Sequence, residues 1–114
     1  MALKNTIQAI PMTTIDSATL TDVYQPINIG GLPNSCFQLR MVNASDVEVT
    51  VSYDGVTDNE ILLATSINVI PSIHATSPNN FPVAFPKGMV VYVKGTAGTG
   101  DIFISGYYQP SSTV

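Results

Sequence analysis

Apolar and polar residues alternate in two neighbouring segments near the middle of the chain. Phe37, Leu39 and Met41 are separated by polar residues, and the valines of residues 47–53 are spaced in the same way. Alternation with a period of two is typical of a half-buried β-strand. Since residues 43–45 read as a tight turn, the pattern predicts a β-hairpin with its apolar set towards the core.

A second hairpin is predicted in the last third of the chain. Residues 89–94 and 101–108 are rich in β-branched and aromatic side chains, and they flank a glycine-rich link at 95–100. The three glycines of this link can adopt positive φ where a chain reverses direction. The segment therefore reads as two antiparallel strands joined by a turn.

Shorter strands are expected elsewhere, and prolines mark their ends because proline lacks the amide proton that a β-ladder needs. No window of eleven or more residues shows helical spacing of apolar positions. The expected additional strands are residues 4–10, 20–29, 61–64, 66–70 and 83–85. Many short strands with turns between them predict an all-β fold, an antiparallel two-sheet sandwich that is jelly-roll-like, with a small β-barrel as the alternative.

The length of 114 residues fits a single domain over residues 1–114. Residues 1–12 contain Leu3, Ile7 and Ile10, which are too apolar for a disordered tail. We expect an N-terminal arm or an edge strand there. Pairing with the sheet of a neighbouring subunit and pairing within the same sandwich both remain open.

Charge is scarce in this sequence. Charged residues make up 11% of the chain, hydrophobic residues 45%, and the formal net charge is −4. A negative chain with scattered basic residues is repelled by phosphate backbones, so we expect no nucleic-acid partner. No apolar run is long enough to span a membrane. A polar but weakly charged surface favours a protein that packs against neighbours.

Candidate chemistry is sparse as well. The acidic residues from 46 to 60 lack the Asp-x-Asp-x-Asp-Gly order of an EF-hand, so we expect a solvated turn and no metal. His74 has no catalytic partner nearby, and the link at 95–100 leads into a strand, where a phosphate loop would lead into a helix. Cys36 is expected to be a small buried apolar residue. We therefore expect no enzyme activity and no cofactor.

The aromatic residues are better candidates for a function. Exposed tyrosines anchor protein interfaces because they bury a large area at low entropic cost. Tyr107 and Tyr108 are adjacent in a strand and so point to opposite faces. The predicted interface residues are Tyr92, Tyr107 and Tyr108, together with Phe81 and His74 from the unpatterned segment 72–82.

The segments 40–43, 51–60, 85–100 and 106–108, taken in this order, resemble small structural proteins of tailed bacteriophages. The resemblance covers about residues 35–109, and several such proteins are similar to capsid decoration, or cement, proteins with a jelly-roll-like fold. It implies a virion structural protein on the capsid surface, synthesised in the host cytoplasm. The implied partners are the major capsid protein and further copies of the chain in a homo-oligomer, a dimer or a trimer.

Two alternatives accompany this interpretation. The first is a component of the neck or tail of the virion. The second is a carbohydrate-binding module on a phage fibre, in which exposed tyrosines stack on sugar rings. Capsid decoration requires broad, flat contact faces, whereas sugar binding requires a groove. The shape of the surface therefore distinguishes these two functions.

Overall fold

The computed structural model describes residues 8–70 and 85–108, and these residues form two antiparallel β-sheets. Apart from a 3₁₀ helix at Ser17–Thr19, the regular structure of this part is β, and it has no helix long and apolar enough to cross a membrane. The nine strands are β1 (Gln8–Ala9), β2 (Thr13–Asp16), β3 (Gln25–Pro26), β4 (Gln38–Asn43), β5 (Val49–Ser52), β6 (Glu60–Leu62), β7 (Ser66–Ile70), β8 (Tyr92–Gly95) and β9 (Asp101–Tyr108).

The two sheets form a sandwich, which confirms the predicted fold class; the described strands do not close into a barrel. The first sheet has the order β1-β9-β4-β7, with β2 also paired to β9, and the second has the order β3-β8-β5-β6. Alternation of side chains sends every second residue inwards. The central core residues are Leu39 and Met41 of β4, Val49 and Val51 of β5, Leu62 of β6, Val93 of β8, and Ile102 and Ile104 of β9.

Both predicted hairpins are wrong, although their strands exist. β4 and β5 lie in different sheets, and so do β8 and β9. The partners are exchanged: β4 pairs with β9, with Met41 opposite Ile104, and β5 pairs with β8, with Val51 opposite Val93. Each presumed turn is a connection that crosses from one sheet to the other, because both segments of a pair bury their apolar face against the opposite layer.

The two crossing connections lie side by side at one end of the sandwich. The backbone N–H of Asp46 donates to the carbonyl of Thr99 (3.1 Å), and the N–H of Thr99 donates to Oδ1 of Asp46 (2.8 Å). The N–H of Ala44 donates to the carbonyl of Asp101 (2.9 Å). Each connection therefore supplies hydrogen-bond partners to the backbone of the other.

Asn43 is buried at this end, where it joins three segments of the chain. Its Nδ2 donates to the carbonyls of Val47 (2.8 Å), Leu62 (3.2 Å) and Leu63 (3.1 Å). Its Oδ1 accepts from the N–H (3.0 Å) and the hydroxyl (2.5 Å) of Ser45. One amide thus ties the end of β4 to the start of the crossing and to the end of β6.

The glycines of the link 95–100 differ from the expectation. Only Gly100 of the three has a positive φ, 110°. Gly98 is needed for space instead, since a Cβ there would lie 2.6 Å from Oδ1 of Asp46 and 2.7 Å from Cγ1 of Val47. A side chain at this position would therefore have to displace the side chains of Asp46 and Val47.

The remaining strand predictions are met in part. The strand predicted at 66–70 coincides with β7. The strands predicted at 61–64 and 20–29 correspond to the shorter strands β6 and β3. Of residues 83–85, only Phe85 is described, in an isolated antiparallel bridge with Cys36. Cys36 is fully buried, as predicted, and burial raises the pKa of its thiol.

The described part of the N-terminal segment is an edge of its own sheet. Ala9 lies opposite Tyr107, and Thr13 lies opposite Ile104, so the three residues 10–12 on this edge face the two residues 105 and 106 of β9. This is a β-bulge, and Pro11 lies inside it, where a missing amide proton costs no ladder bond. Residues 1–7 of the expected arm lie outside the described residues.

Replacement of Asn43 by alanine is predicted to destabilise the protein strongly. The change removes a buried donor from three carbonyls and an acceptor from Ser45. The carbonyls of Val47 and Leu63 keep the hydroxyls of Ser45 and Ser66 as donors, and each buried group that is left unpaired costs about 1–3 kcal/mol. Urea unfolding measures the loss. Asn34→Ala is the matched control, since the Asn34 amide makes no side-chain hydrogen bond to the described residues, and equal stability of the two variants would contradict the role of Asn43.

Gly98→Val is predicted to lower stability by about 1–3 kcal/mol through overpacking against Asp46 and Val47. The neighbouring Ala97 is exposed, so Ala97→Val adds comparable bulk without a clash. Thermal unfolding of both variants separates steric conflict from a general intolerance of the link. An unchanged midpoint for Gly98→Val would contradict the steric conflict with Asp46 and Val47.

Candidate functional site

The connection between β5 and β6, residues 53–59, is organised by Asp54. Its Oδ1 accepts from the N–H groups of Val56 (2.8 Å) and Thr57 (2.7 Å) and from the hydroxyl of Ser52 (2.8 Å), and its Oδ2 accepts from the hydroxyl of Thr57 (2.8 Å). These hydrogen bonds, those from Thr57 and Val56 first, hold the pKa of Asp54 well below its usual range. The carboxylate is occupied in fixing its own turn.

This connection folds back over the outward face of the second sheet. The strand pattern directs Ser52 outwards, yet Ser52 is fully buried. The connection covers it, and the N–H of Gly55 donates a hydrogen bond to its hydroxyl (2.9 Å). A Cβ at Gly55 would lie 3.4 Å from Cε1 of Tyr92. The ring of Tyr92, a predicted interface residue, is therefore partly covered by its own chain.

Asp58 fastens the far end of the connection to the sheet. It accepts a hydrogen bond from the hydroxyl of Tyr24 and forms an ion pair with Lys94, Nζ to Oδ1 3.2 Å. The ammonium of Lys94 also lies 4.7 Å from the centre of the Tyr24 ring, a cation–π contact. Three side chains from distant parts of the sequence thus form one cluster.

The ionisation of this cluster follows from its contacts. Burial of the phenol and then the hydrogen bond and negative charge of Asp58 raise the pKa of Tyr24 to about 12. The hydrogen bonds from Tyr24 and Lys94 lower the pKa of Asp58. Near neutral pH the cluster is therefore a neutral phenol between a carboxylate and an ammonium group.

The outward face of the first sheet is different in character. Alternate residues of β4 and β9 project from it and lie opposite each other in pairs: Gln38 with Tyr107, Arg40 with Ser105, and Val42 with Phe103. All six are half-buried, and Arg40 is the one charged residue among them. We name these six residues the Tyr107 face.

The predicted interface residues do not form one surface. Tyr107 belongs to the Tyr107 face, whereas Tyr92 lies on the other sheet. Tyr108 packs against the core, and its hydroxyl donates to Oε1 of Gln8 (3.0 Å). Phe81 and His74 lie outside the described residues.

Sequence reasoning missed the partners of Tyr107 and the cluster around Asp58. Arg40 and Phe103 carried a usable signal, since both lie on the polar side of alternating strands. Tyr24 and Asp58 carried none, because they are 34 positions apart and meet only through the fold.

The described residues contain no group of three or more His, Cys, Asp or Glu side chains placed to hold a metal ion. Three of their acidic side chains make contacts within the fold: Asp54 in its turn, Asp58 with Tyr24 and Lys94, and Asp46 with Thr99.

No protein-family model matches the chain, and no curated protein matches it. A solved structure with a similar arrangement is the SPP1 Dit protein (gp 19.1), described as a paradigm of the hub adsorption apparatus in phages that infect Gram-positive bacteria, at 14% identity and a TM-score of 0.41. The match covers 91% of this chain and 49% of that one, so the chain spans about half its length.

The Tyr24 cluster predicts a measurable alkaline transition. Because the folded pKa is raised from 10.0 to about 12, the stabilising contribution of the neutral phenol is complete below pH 10 and is lost as the pH rises towards 12. Absorbance titration, with Tyr24→Phe to assign the signal, follows the phenolate. Asp58→Asn should lower the pKa of Tyr24 and Asp101→Asn should not; no difference between them would contradict the hydrogen bond.

Proposed function

We propose that this chain is a structural component of a tailed-phage virion and works by binding neighbouring proteins, without catalysing a reaction. The observation that carries the proposal is the Tyr107 face, a broad outward sheet surface built from paired side chains of β4 and β9. The resemblance of residues 35–109 to small phage structural proteins supports the virion as its setting.

The composition of the Tyr107 face suits a protein partner. Aromatic residues and arginine are enriched in the centres of interfaces, where other charged residues are depleted. Here Phe103 and Tyr107 supply aromatic area, Val42 supplies aliphatic area, and Arg40 supplies the charge. A partner seated on this face would desolvate one charged group among six residues.

A sugar-binding role has less support in the geometry of the tyrosines. Stacking on a sugar requires an open ring face. The ring of Tyr24 is occupied by Lys94, and the ring of Tyr92 is close to the connection at Gly55. The ring of Tyr107 is half-buried. It lies on a sheet face opposite Gln38, whereas sugar binding requires a groove.

The finer part of the proposal is capsid decoration. In this role the chain sits on the head, contacts the major capsid protein through the Tyr107 face and holds neighbouring capsid subunits together. A protein with this role requires contact area and a rigid scaffold. The sandwich supplies the scaffold, with its fully buried strand residues in both sheets.

The test is binding of purified chain to phage particles that lack it, followed by sedimentation and electron microscopy. The variant Arg40→Glu places a repulsive charge at the centre of the Tyr107 face and should lose binding. Lys87→Glu makes the same change of charge at an exposed position and should bind like the unmodified chain, and circular dichroism should show both variants folded.

The position of the bound chain distinguishes the possible roles. Density on the heads supports decoration, and density at the neck or tail supports the alternative position within the virion. Absence of the chain from all particles would overturn the proposal. Binding by Arg40→Glu that equals binding by Lys87→Glu would remove the Tyr107 face as the contact.

A further inference from the structure

The outward face of the first sheet carries charges of both signs in separate places. Arg40 lies in the middle of the Tyr107 face, opposite Ser105 of β9. Asp101 projects from the same side of β9, four positions before Ser105 and therefore roughly 14 Å away along the strand. Asp16 of β2 lies directly opposite Asp101. The face thus runs from a pair of carboxylates at one end to a guanidinium group in its middle.

The guanidinium of Arg40 has no carboxylate partner from the side chains of this chain. All eight Asp and Glu residues of the sequence lie in the described segments, and the ion pair formed there joins Asp58 to Lys94. Arg40 also makes no side-chain hydrogen bond to another described residue. Its planar fork of five donors matches the two oxygens of a carboxylate. Arg40 is therefore suited to a carboxylate that another protein supplies.

The acidic pair at the end of the face is uncompensated as well. Like charges directly opposite each other destabilise a pair of strands. Asp16 and Asp101 are both exposed, and neither forms an ion pair with a described basic side chain. Oδ1 of Asp16 accepts a hydrogen bond from the N–H of Ala18 (2.9 Å), which leaves its charge in place. A cationic group held between the two carboxylates would turn their repulsion into two charge-assisted hydrogen bonds.

We infer that the partner of the Tyr107 face presents a carboxylate to Arg40 and a lysine or arginine side chain to the Asp16–Asp101 pair. The two partner groups are separated by roughly 14 Å, since this is the spacing of their targets along β9. Between them the partner meets Phe103, which projects from β9 midway along this interval. The inference rests on the proposed function, because it describes the protein that binds there.

The order of the charges restricts which surfaces can bind. A uniformly acidic surface is attracted by Arg40 and repelled by the acidic pair, and a uniformly basic surface meets the opposite situation. A surface with both signs in the matching order is attracted at both places. Complementary charges of this kind fix the orientation of a bound protein and disfavour wrong partners.

The repulsion within the acidic pair is tested on the purified chain alone. Asp101→Asn removes one of the two charges and should raise the thermal midpoint by roughly 1–5 °C. Asp22→Asn is the matched control at an exposed position outside the sheets, and it should leave the midpoint unchanged. High salt should reduce the difference because it screens exposed charges. Equal midpoints of the two variants at low salt would overturn the inference.

Binding to phage particles that lack the chain tests the polarity of the partner. Asp101→Lys should weaken binding by roughly tenfold or more, since it brings two cationic groups together. The same change should raise the thermal midpoint, because it places an ammonium group opposite Asp16. Loss of folding cannot produce this combination. Asp22→Lys changes the net charge equally and should bind like the unmodified chain. Binding by Asp101→Lys that equals or exceeds binding by Asp22→Lys would overturn the inference.

Zero-length cross-linking tests the carboxylate of the partner. Arg40→Lys keeps the positive charge and provides an amine, which a carbodiimide joins to a carboxylate in contact with it. In the complex with particles, mass spectrometry should find position 40 linked to an Asp or Glu of a particle protein. The exposed Lys87 is the internal control and should form no such link. A bound variant without a link from position 40, or with a link to a second copy of this chain, would overturn the inference.

The results separate this inference from the proposed function. If the unmodified chain binds no particles, the proposed function fails and the inference fails with it. If the unmodified chain binds and Asp101→Lys binds equally well, the proposed function stands and the inference alone is overturned.

Discussion

The architecture depends on how two chain connections cross together from one sheet to the other. The side-chain amide of Asn43 serves the first crossing, since it supplies a donor to three carbonyls and an acceptor to Ser45. The second crossing is held against the first by Asp46 and Thr99. Because each connection satisfies the polar groups of the other, β4 can pair with β9 while β5 pairs with β8.

The sequence contained the strands but not their partners. Alternation in residues 37–41 and 47–53 correctly predicted the burial of Leu39, Met41, Val49 and Val51, because a period of two depends only on one face meeting the core. Phe37, Val47 and Tyr53, at the ends of these segments, are half-buried. The same alternation is compatible with a hairpin and with two strands in opposite layers. Asn43 and the glycines of the link resemble turn residues in either case, so local sequence could not exclude the hairpin.

The surface was predictable to a similar extent. The opposite orientations of Tyr107 and Tyr108 follow from the strand period, and the structure places one outwards and the other against the core. The cluster of Tyr24, Asp58 and Lys94 depends on contacts between three distant segments. Such contacts are set by the order of the strands in the sheets. The pattern of a single sequence does not show that order.

The exchange of strand partners also constrains how the molecule reaches its native state. Neither central pair is local, since residues around 41 pair with residues around 104 and residues around 51 with residues around 93. The chain must lose the entropy of closing long loops before the hydrogen bonds and packing of these strand pairs can form. Folding of such topologies is therefore slow. Most of the chain must have left the ribosome before β4 can pair with β9. Until then the apolar side chains of β4 are exposed and can associate with other strands or other chains.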